Sequence, residues 1–304
     1  MINSRSQAPV ALFVYNRPIH TRRTVESLLR NTGAQDSILH IFSDAAKTTQ
    51  ESPSVDKVRI YLKEITGFKQ VLIYEQVNNL GLAKSIINGV STLCEKYGNV
   101  IVLEDDIVTS PYFLTYMNES LNFYENVGQV MHISAFRYPV KPFETEDTFF
   151  LRVPLCWGWA TWQRAWKFYN KDVSLMSHFN QNAIRRFNFD NNYDFWMQLV
   201  MNKSGYLNTW FIFWYANLFL CNGLALFPAR SLVQNIGMDK SGTHSGISND
   251  YNVKLSETKI LLSDIPLCES TEAYEFHRRY FKKIKIGLIQ RGVQKVCKIF
   301  LPSK

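Results

Sequence analysis

Between Phe276 and Lys304 there is no acidic residue, although nine lysines and arginines fall there. That gap accounts for the formal net charge of +8, because the rest of the chain holds 25 basic residues against 26 acidic ones. The body therefore carries no basic surplus, and nucleic acid is not an expected partner. Cysteine is scarce too. Cys94, Cys156, Cys221, Cys268 and Cys297 are odd in number, widely spread and set in apolar contexts, which argues against a disulfide framework or a zinc site and for reduced, buried thiols. No internal repeat or low-complexity tract is present. Long uninterrupted apolar runs are missing as well. APVALFVY near the start is broken by Asn16 and Arg17 and lacks a cleavage-like sequence, so it does not read as a signal peptide. WFIFWYANLFLCNGLALF (210–227) contains Asn217, Asn222 and Gly223 and reads as two buried strands joined by an Asn-Gly turn, not as a membrane span of ~20 apolar residues.

What is present is a regular alternation. Apolar runs at 10–15, 38–43, 71–74 and 100–103 predict strands. Between them, Val25, Leu28 and Leu29, then Val55, Val58, Leu62 and Ile65, then Leu82, Ile86, Val90 and Leu93 fall on single helical stripes. Ser110 and Pro111 open a further helix bearing Phe113, Met117 and Leu121. Strand and helix in turn imply an α/β fold with a mostly parallel sheet covered on both faces, whose ligands collect at the carboxyl ends of the strands.

At that edge VIVL runs straight into Glu104, Asp105 and Asp106. Three adjacent carboxylates repel one another, so a positive partner is expected nearby. They read either as a solvated turn favouring the next helix through its dipole, or as the seat of a hard divalent cation, Mn²⁺ or Mg²⁺. Helix-cap acids would stand beside Ser110, not against the strand. Asp44 follows the second strand at the same edge, and Asn16 and Arg17 follow the first.

YNRP, then SD, then NLGLAKSIINGV, then VLEDDI resembles the nucleotide-binding half of GT-A fold glycosyltransferases, in particular the family-2-like and N-acetylglucosaminyltransferase I-like groups; the likeness covers residues 8–245. It implies a metal-dependent, inverting transferase domain over 1–250, with a nucleotide-binding half at about 8–108 and an acceptor half at about 109–250, followed by a C-terminal extension at 251–304. It further implies that Asn16 and Arg17 line the nucleotide pocket and that Asp44 hydrogen-bonds the base. Asn79 and Gly81 would open the helix under the nucleotide. Lys84 stands where many relatives have an arginine for the diphosphate. Glu104 and Asp105 would contact ribose or metal-bound water, and Asp106 would ligate the metal. The donor implied is a nucleotide sugar, foremost a UDP-sugar, and the acceptor a glycan or lipid-linked hydroxyl in bacterial surface-polysaccharide assembly, with a hexosyl or N-acetylhexosaminyl group transferred.

Inversion requires a base for the acceptor hydroxyl. Asp194 in NNYDFWMQL resembles the family's acidic residue before Trp; its other reading is a helix N-cap, with Asp190 in reserve for the base. In CWGWATWQRAW (156–166), Trp157, Trp159 and Trp162 are either core or a sugar-stacking wall beside Gly158, with Trp159 as the expected contacting ring. NIGMDKSGTHSG (235–246) reads as a surface loop or as a lid whose His244, like a late histidine in some GT-A enzymes, adds a metal or diphosphate contact. The basic tail, with Tyr280, Ile284 and Leu288 four apart, is amphipathic. It is expected to lie on an anionic membrane, placing the protein in the cytoplasm at the inner face of the plasma membrane; the competing reading is a helix docked on the catalytic domain. Two alternatives to a transferase are a nucleotidyltransferase, disfavoured because YNRP is no glycine-rich phosphate loop, and a non-catalytic sugar- or nucleotide-binding protein.

Overall fold

The computed structural model describes residues 7–140, 147–239 and 250–300, with side chains in the last helix described to 285. In chain order the elements are β1 (Val10–Val14), α1 (Pro18–Leu29), β2 (Ile38–Ser43), α2 (Ser52–Leu62), β3 (Gln70–Glu75), α3 (Leu82–Tyr97), β4 (Asn99–Glu104), β5 (Ile107–Thr109), α4 (Phe113–Phe123), β6 (Val130–Ser134), β7 (Thr148–Leu151), β8 (Trp159–Trp162), α5 (Gln163–Trp166), α6 (Gln181–Phe187), α7 (Phe195–Lys203), α8 (Phe211–Leu220), β9 (Leu224–Pro228), β10 (Val233–Asn235) and α9 (Thr271–Phe300). Eight strands make one mixed sheet in the order β3-β2-β1-β4-β8-β6-β9-β7, and β10 pairs with β5 in a small second sheet. The first four strands are mutually parallel. β8 runs against both β4 and β6, and β7 against β9.

Alternation within β1 explains why its whole run is apolar. Val10, Leu12 and Val14 belong to the core that includes Val25 and Leu28 of α1 and Val58 and Leu62 of α2, whereas Ala11 and Phe13 belong to the core that includes Ile86, Val90 and Leu93 of α3. A parallel strand covered on both faces has no polar side to show. Gly89 on α3 lets the helix sit against the sheet, since a Cβ there would come within 2.7 Å of the Phe13 ring.

The structure corrects the reading of 210–227. Residues 211–220 are not a strand but the helix α8, buried from Ile212 to Leu218. The Asn-Gly pair ends that helix instead of turning a hairpin. Asn222 sits at φ 53°, its N–H donates to the Phe219 carbonyl, and the Gly223 N–H donates to the Leu218 carbonyl at 2.9 Å. This is the paired hydrogen-bond pattern of a helix C-terminus with a left-handed residue. Only 224–227 of the run is strand, in β9. Among the described residues no helix is long and apolar enough to cross a membrane.

Of the basic tail, the side chains after 285, that of Leu288 among them, lie outside those described. Over its described side chains α9 is docked: Tyr274 stacks on Phe189 with centroids 4.9 Å apart, and Phe281 lies 5.0 Å from both Tyr138 and Tyr193. Ile284 is buried, and Lys285 donates to the Asn191 carbonyl at 3.0 Å. The apolar stripe of these first turns is therefore spent on the protein's own core. Of the cysteines, Cys94 is buried as expected, but Cys221 and Cys268 are exposed free thiols.

Candidate functional site

In an open sheet ordered β3-β2-β1-β4, the connections leave β1 toward β2 on one side while β4 joins on the other. The crevice outside the carboxyl ends of β1 and β4 is the switch point where such sheets bind ligands. Asn16 and Arg17 leave β1 on one side of it, and Glu104, Asp105 and Asp106 leave β4 on the other.

The positive partner that the three acids require is Arg17. Its guanidinium pairs with Asp105 through Nη2 and with Asp106 through Nη1, the latter at 3.0 Å. Burial works against the guanidinium's charge, yet the two aspartates outweigh it and hold its pKa above the ordinary value. Asp105 is enclosed. It also accepts the Tyr15 N–H at 3.4 Å, and its carbonyl accepts from the Thr24 hydroxyl at 2.8 Å. Burial pushes Asp105 up to about 6, against the pull of Arg17. Glu104 has no hydrogen-bond or ion-pair partner among the described residues, and burial, reinforced by the charges of Asp106 and Asp105, pushes it up to about 8. Three carboxyl groups crowd the crevice against one arginine, which pairs with two of them.

β10 brings a third wall. Its antiparallel register on β5 sets Asn235 opposite Ile107, and the next residue, Ile236, donates its N–H to the Asp106 carbonyl at 2.8 Å. Gly237 then presses onto the ion pair: a Cβ there would lie 2.1 Å from Asp106 Oδ2 and 2.8 Å from Arg17 Nη1. Sequence reading placed Gly237 within the 235–246 loop or lid but gave it no role of its own. His20 and Asp239 meet at 3.1 Å farther along this segment. His244 lies outside the described residues.

Asp44 is 7% exposed and its carboxylate is fully engaged. It accepts from the N–H groups of Ala45, Leu80 and Gly81, each at 2.9 Å, and from Asn79 Nδ2 at 3.1 Å. Asp44 thus ties the 79–81 loop, and with it the start of α3, to the end of β2. Gly81 has φ 74° and ψ 157°, a conformation open to glycine alone. Asn16 donates to Glu51 at 3.2 Å, and Lys84 is exposed on α3.

The antiparallel pairing of β8 with β4, Trp159 opposite Val102, carries the residues before β8 to the Glu104 end of the crevice. Cys156 arrives there, where burial first and the Glu104 charge second push its thiol up. Trp159 does not face ligand. It is 0% exposed, stacked on Trp210 at 5.2 Å and on His132 at 5.3 Å, so the expected sugar-contacting ring is core. Strand alternation sends it to the α3 face. Trp157, part-buried, meets Phe136 and Tyr251 edge to face at 4.7 and 5.5 Å.

Asp194 is exposed and caps α7, accepting the Met197 N–H at 3.1 Å. The capping alternative is therefore realised. Burial raises the pKa of its neighbour Tyr193. Asp190, the reserve for the base, lies in a left-handed run with Phe189 and Asn191, and the Tyr274 hydroxyl donates to it at 2.8 Å.

Among the described residues no three of His, Cys, Asp and Glu converge as ligands of one ion. Hard dications commonly need only one or two protein carboxylates beside substrate phosphates. Hard carboxylate oxygens at Asp106, with Glu104 and Asp105 just before it in the chain, are the donor chemistry such an ion takes.

No family model and no curated protein matches the chain. Among solved structures it is similar to the mannosyltransferase PcManGT from Pyrobaculum calidifontis in complex with GDP-Man and Mn²⁺, at 10% identity and TM-score 0.38 over 71% of this chain and 70% of that one. Mouse xyloside xylosyltransferase 1, apo form, gives 14% and 0.36 over 69% and 81%. S. aureus TarS gives 13% and 0.30 over 46% of this chain, which spans only 23% of TarS. TM-scores this low leave the assignment to the site itself.

Proposed function

We propose that the protein is a GT-A-type transferase that moves a glycosyl group from a nucleotide-diphosphate sugar to an acceptor hydroxyl. The observation that carries this reading is the crevice between β1 and β4, where an acidic triad with an unpaired Glu104 faces Arg17 at the switch point of a parallel sheet. The motif resemblance adds the finer terms: a UDP-sugar donor, inversion, and a glycan or lipid-linked acceptor in surface-polysaccharide assembly.

In this reading the bond from the anomeric carbon to the diphosphate oxygen breaks, and its electron pair leaves with the diphosphate. The acceptor oxygen forms the new bond from the opposite face while its proton passes to Asp194. Mn²⁺ or Mg²⁺ held by Asp106 and Glu104 would supply positive charge against the charge building on the leaving diphosphate. Asp44 holds the 79–81 loop and α3 in place, Asn16 and Arg17 border the nucleotide, and Gly237, with no side chain, lets the backbone close over Asp106. Part-buried Trp157 takes the sugar-wall role in place of Trp159. Membrane association, as far as it rests on 286–304, is tested by liposome flotation of the full chain against a chain ending at 285; equal flotation would end it.

The functional reading is tested by thermal shift with a panel of nucleotide sugars, with and without Mn²⁺ or Mg²⁺. One nucleotide sugar should raise the melting temperature of wild type in a cation-dependent way, and Asp106→Ala should lose the cation dependence. A flat response across the panel would sink the reading.

A further inference from the structure

Resting on the reading above, we propose that Arg17 is an exchangeable occupant of the cation position, so that this crevice accepts a divalent cation only together with an anionic diphosphate. Three features of the structure carry it. Arg17 Nη1 lies 3.0 Å from Asp106 Oδ2, the oxygen that faces Gly237 and would face an incoming ion. The backbone at Gly237 leaves no spare volume, because even a methyl group there would overlap both Asp106 and Arg17. The segment itself is anchored by the Ile236 to Asp106 hydrogen bond and by the Gly237 N–H on Asn235 Oδ1 at 2.8 Å. A cation reaching Asp106 Oδ2 must therefore take the place of one guanidinium prong.

A dication arriving alone meets a like charge and leaves Nη1 without its carboxylate in a largely desolvated place, the guanidinium keeping only Asp105 through Nη2. A diphosphate changes the balance. Its oxygens match the planar two-pronged geometry of a guanidinium, so the displaced Nη1 gains a charge-assisted partner while the ion gains phosphate oxygens. Each ligand then removes the obstacle to the other, and by linkage the two must raise each other's affinity by the same factor. Arg17 is a positioning residue of this exchange and sets the order in which the site fills.

The test is Mn²⁺ binding to the full chain by isothermal titration and by the electron paramagnetic resonance of free Mn²⁺, with and without UDP as the diphosphate probe. Wild type should bind Mn²⁺ at least tenfold more tightly with UDP than without. Arg17→Gln should bind Mn²⁺ alone at least tenfold more tightly than wild type, with most of the UDP enhancement gone. Arg17→Lys, which keeps a charge but not the two-pronged grip, should fall between them and covers the case in which Arg17→Gln does not fold. If wild type binds both ligands but the Arg17 variants leave both constants and their coupling unchanged, the exchange is refuted while the transferase reading stands. If wild type binds neither UDP nor Mn²⁺, alone or together, the transferase reading falls and this proposal with it.

Discussion

Replacing Asp44 with alanine separates two roles that its position allows. As a direct contact to the nucleotide base it would matter only when ligand is present. As a tie for the 79–81 loop it matters in the empty protein, and its four accepted hydrogen bonds favour that role. Hydrogen bonds to a charged group contribute about 1.5–3 kcal/mol each. The Ala45 bond is local and the loop is only part-buried, so water recovers some of the loss. Counting chiefly the Leu80 and Gly81 N–H groups, the expected destabilisation is about 4 kcal/mol. With an unfolding entropy of ~2.1 cal/mol/K per residue over a chain of 304 residues, that corresponds to a fall of about 6 °C in melting temperature. Calorimetric melts of wild type and Asp44→Ala without ligand measure it. Asp44→Asn should melt between the two, because one oxygen still accepts from the Ala45 and Leu80 N–H groups while its NH₂ faces the Gly81 N–H. A ligand-free melting temperature within 1 °C of wild type, coupled to lost nucleotide binding, would refute the tie and restore the base contact.

Asp194→Ala should lose about 1 kcal/mol of stability as an N-cap, whereas Asp194→Asn should lose almost none, since asparagine caps as well as aspartate. Both should lose glycosyl transfer if Asp194 is the base, and an active Asp194→Asn enzyme would move that role elsewhere. Phe281→Ala should destabilise by about 3–5 kcal/mol, because its ring is enclosed among Tyr138, Phe189, Tyr193 and Phe195; an unfolding free energy unchanged in urea would show that α9 is not docked. His132 is fully buried, accepts the Trp214 indole N–H at 3.1 Å and donates to the Leu155 carbonyl, and burial lowers its pKa to about 3. The unfolded chain takes up this proton below ~6.5 while the folded one does not, so this stability is complete above that pH and is lost as pH falls toward 3. The penalty of His132→Gln should accordingly be smaller at pH 5 than at pH 7.5, by about 2 kcal/mol; an equal penalty at both would contradict a neutral histidine.

Where local periodicity and strand-end chemistry were clear, the sequence was legible. The strands and helices from 10 to 104 lie where the apolar spacing puts them, because period two and period 3.6 are properties of neighbouring residues. The run 211–220 was misread because a segment buried on all sides has no polar face to reveal its period. The choice of Trp159 failed for a related reason: alternation says that adjacent residues face opposite ways, but not which way opens to solvent. Asp194 showed both its possible roles in sequence, and only the geometry revealed the cap.

By itself the chain's order of residues determined that three carboxylates, an arginine and an aspartate would each stand just past the end of a parallel strand. Only the packed structure decided their partners: Arg17 with two acids 88 and more residues away, Asp44 with the start of α3, and Gly237 over Asp106. The physical reason is range. Backbone periodicity is written by residues a turn or two apart, whereas charge pairing and close backbone approach depend on strand order and register, which many distant contacts set together.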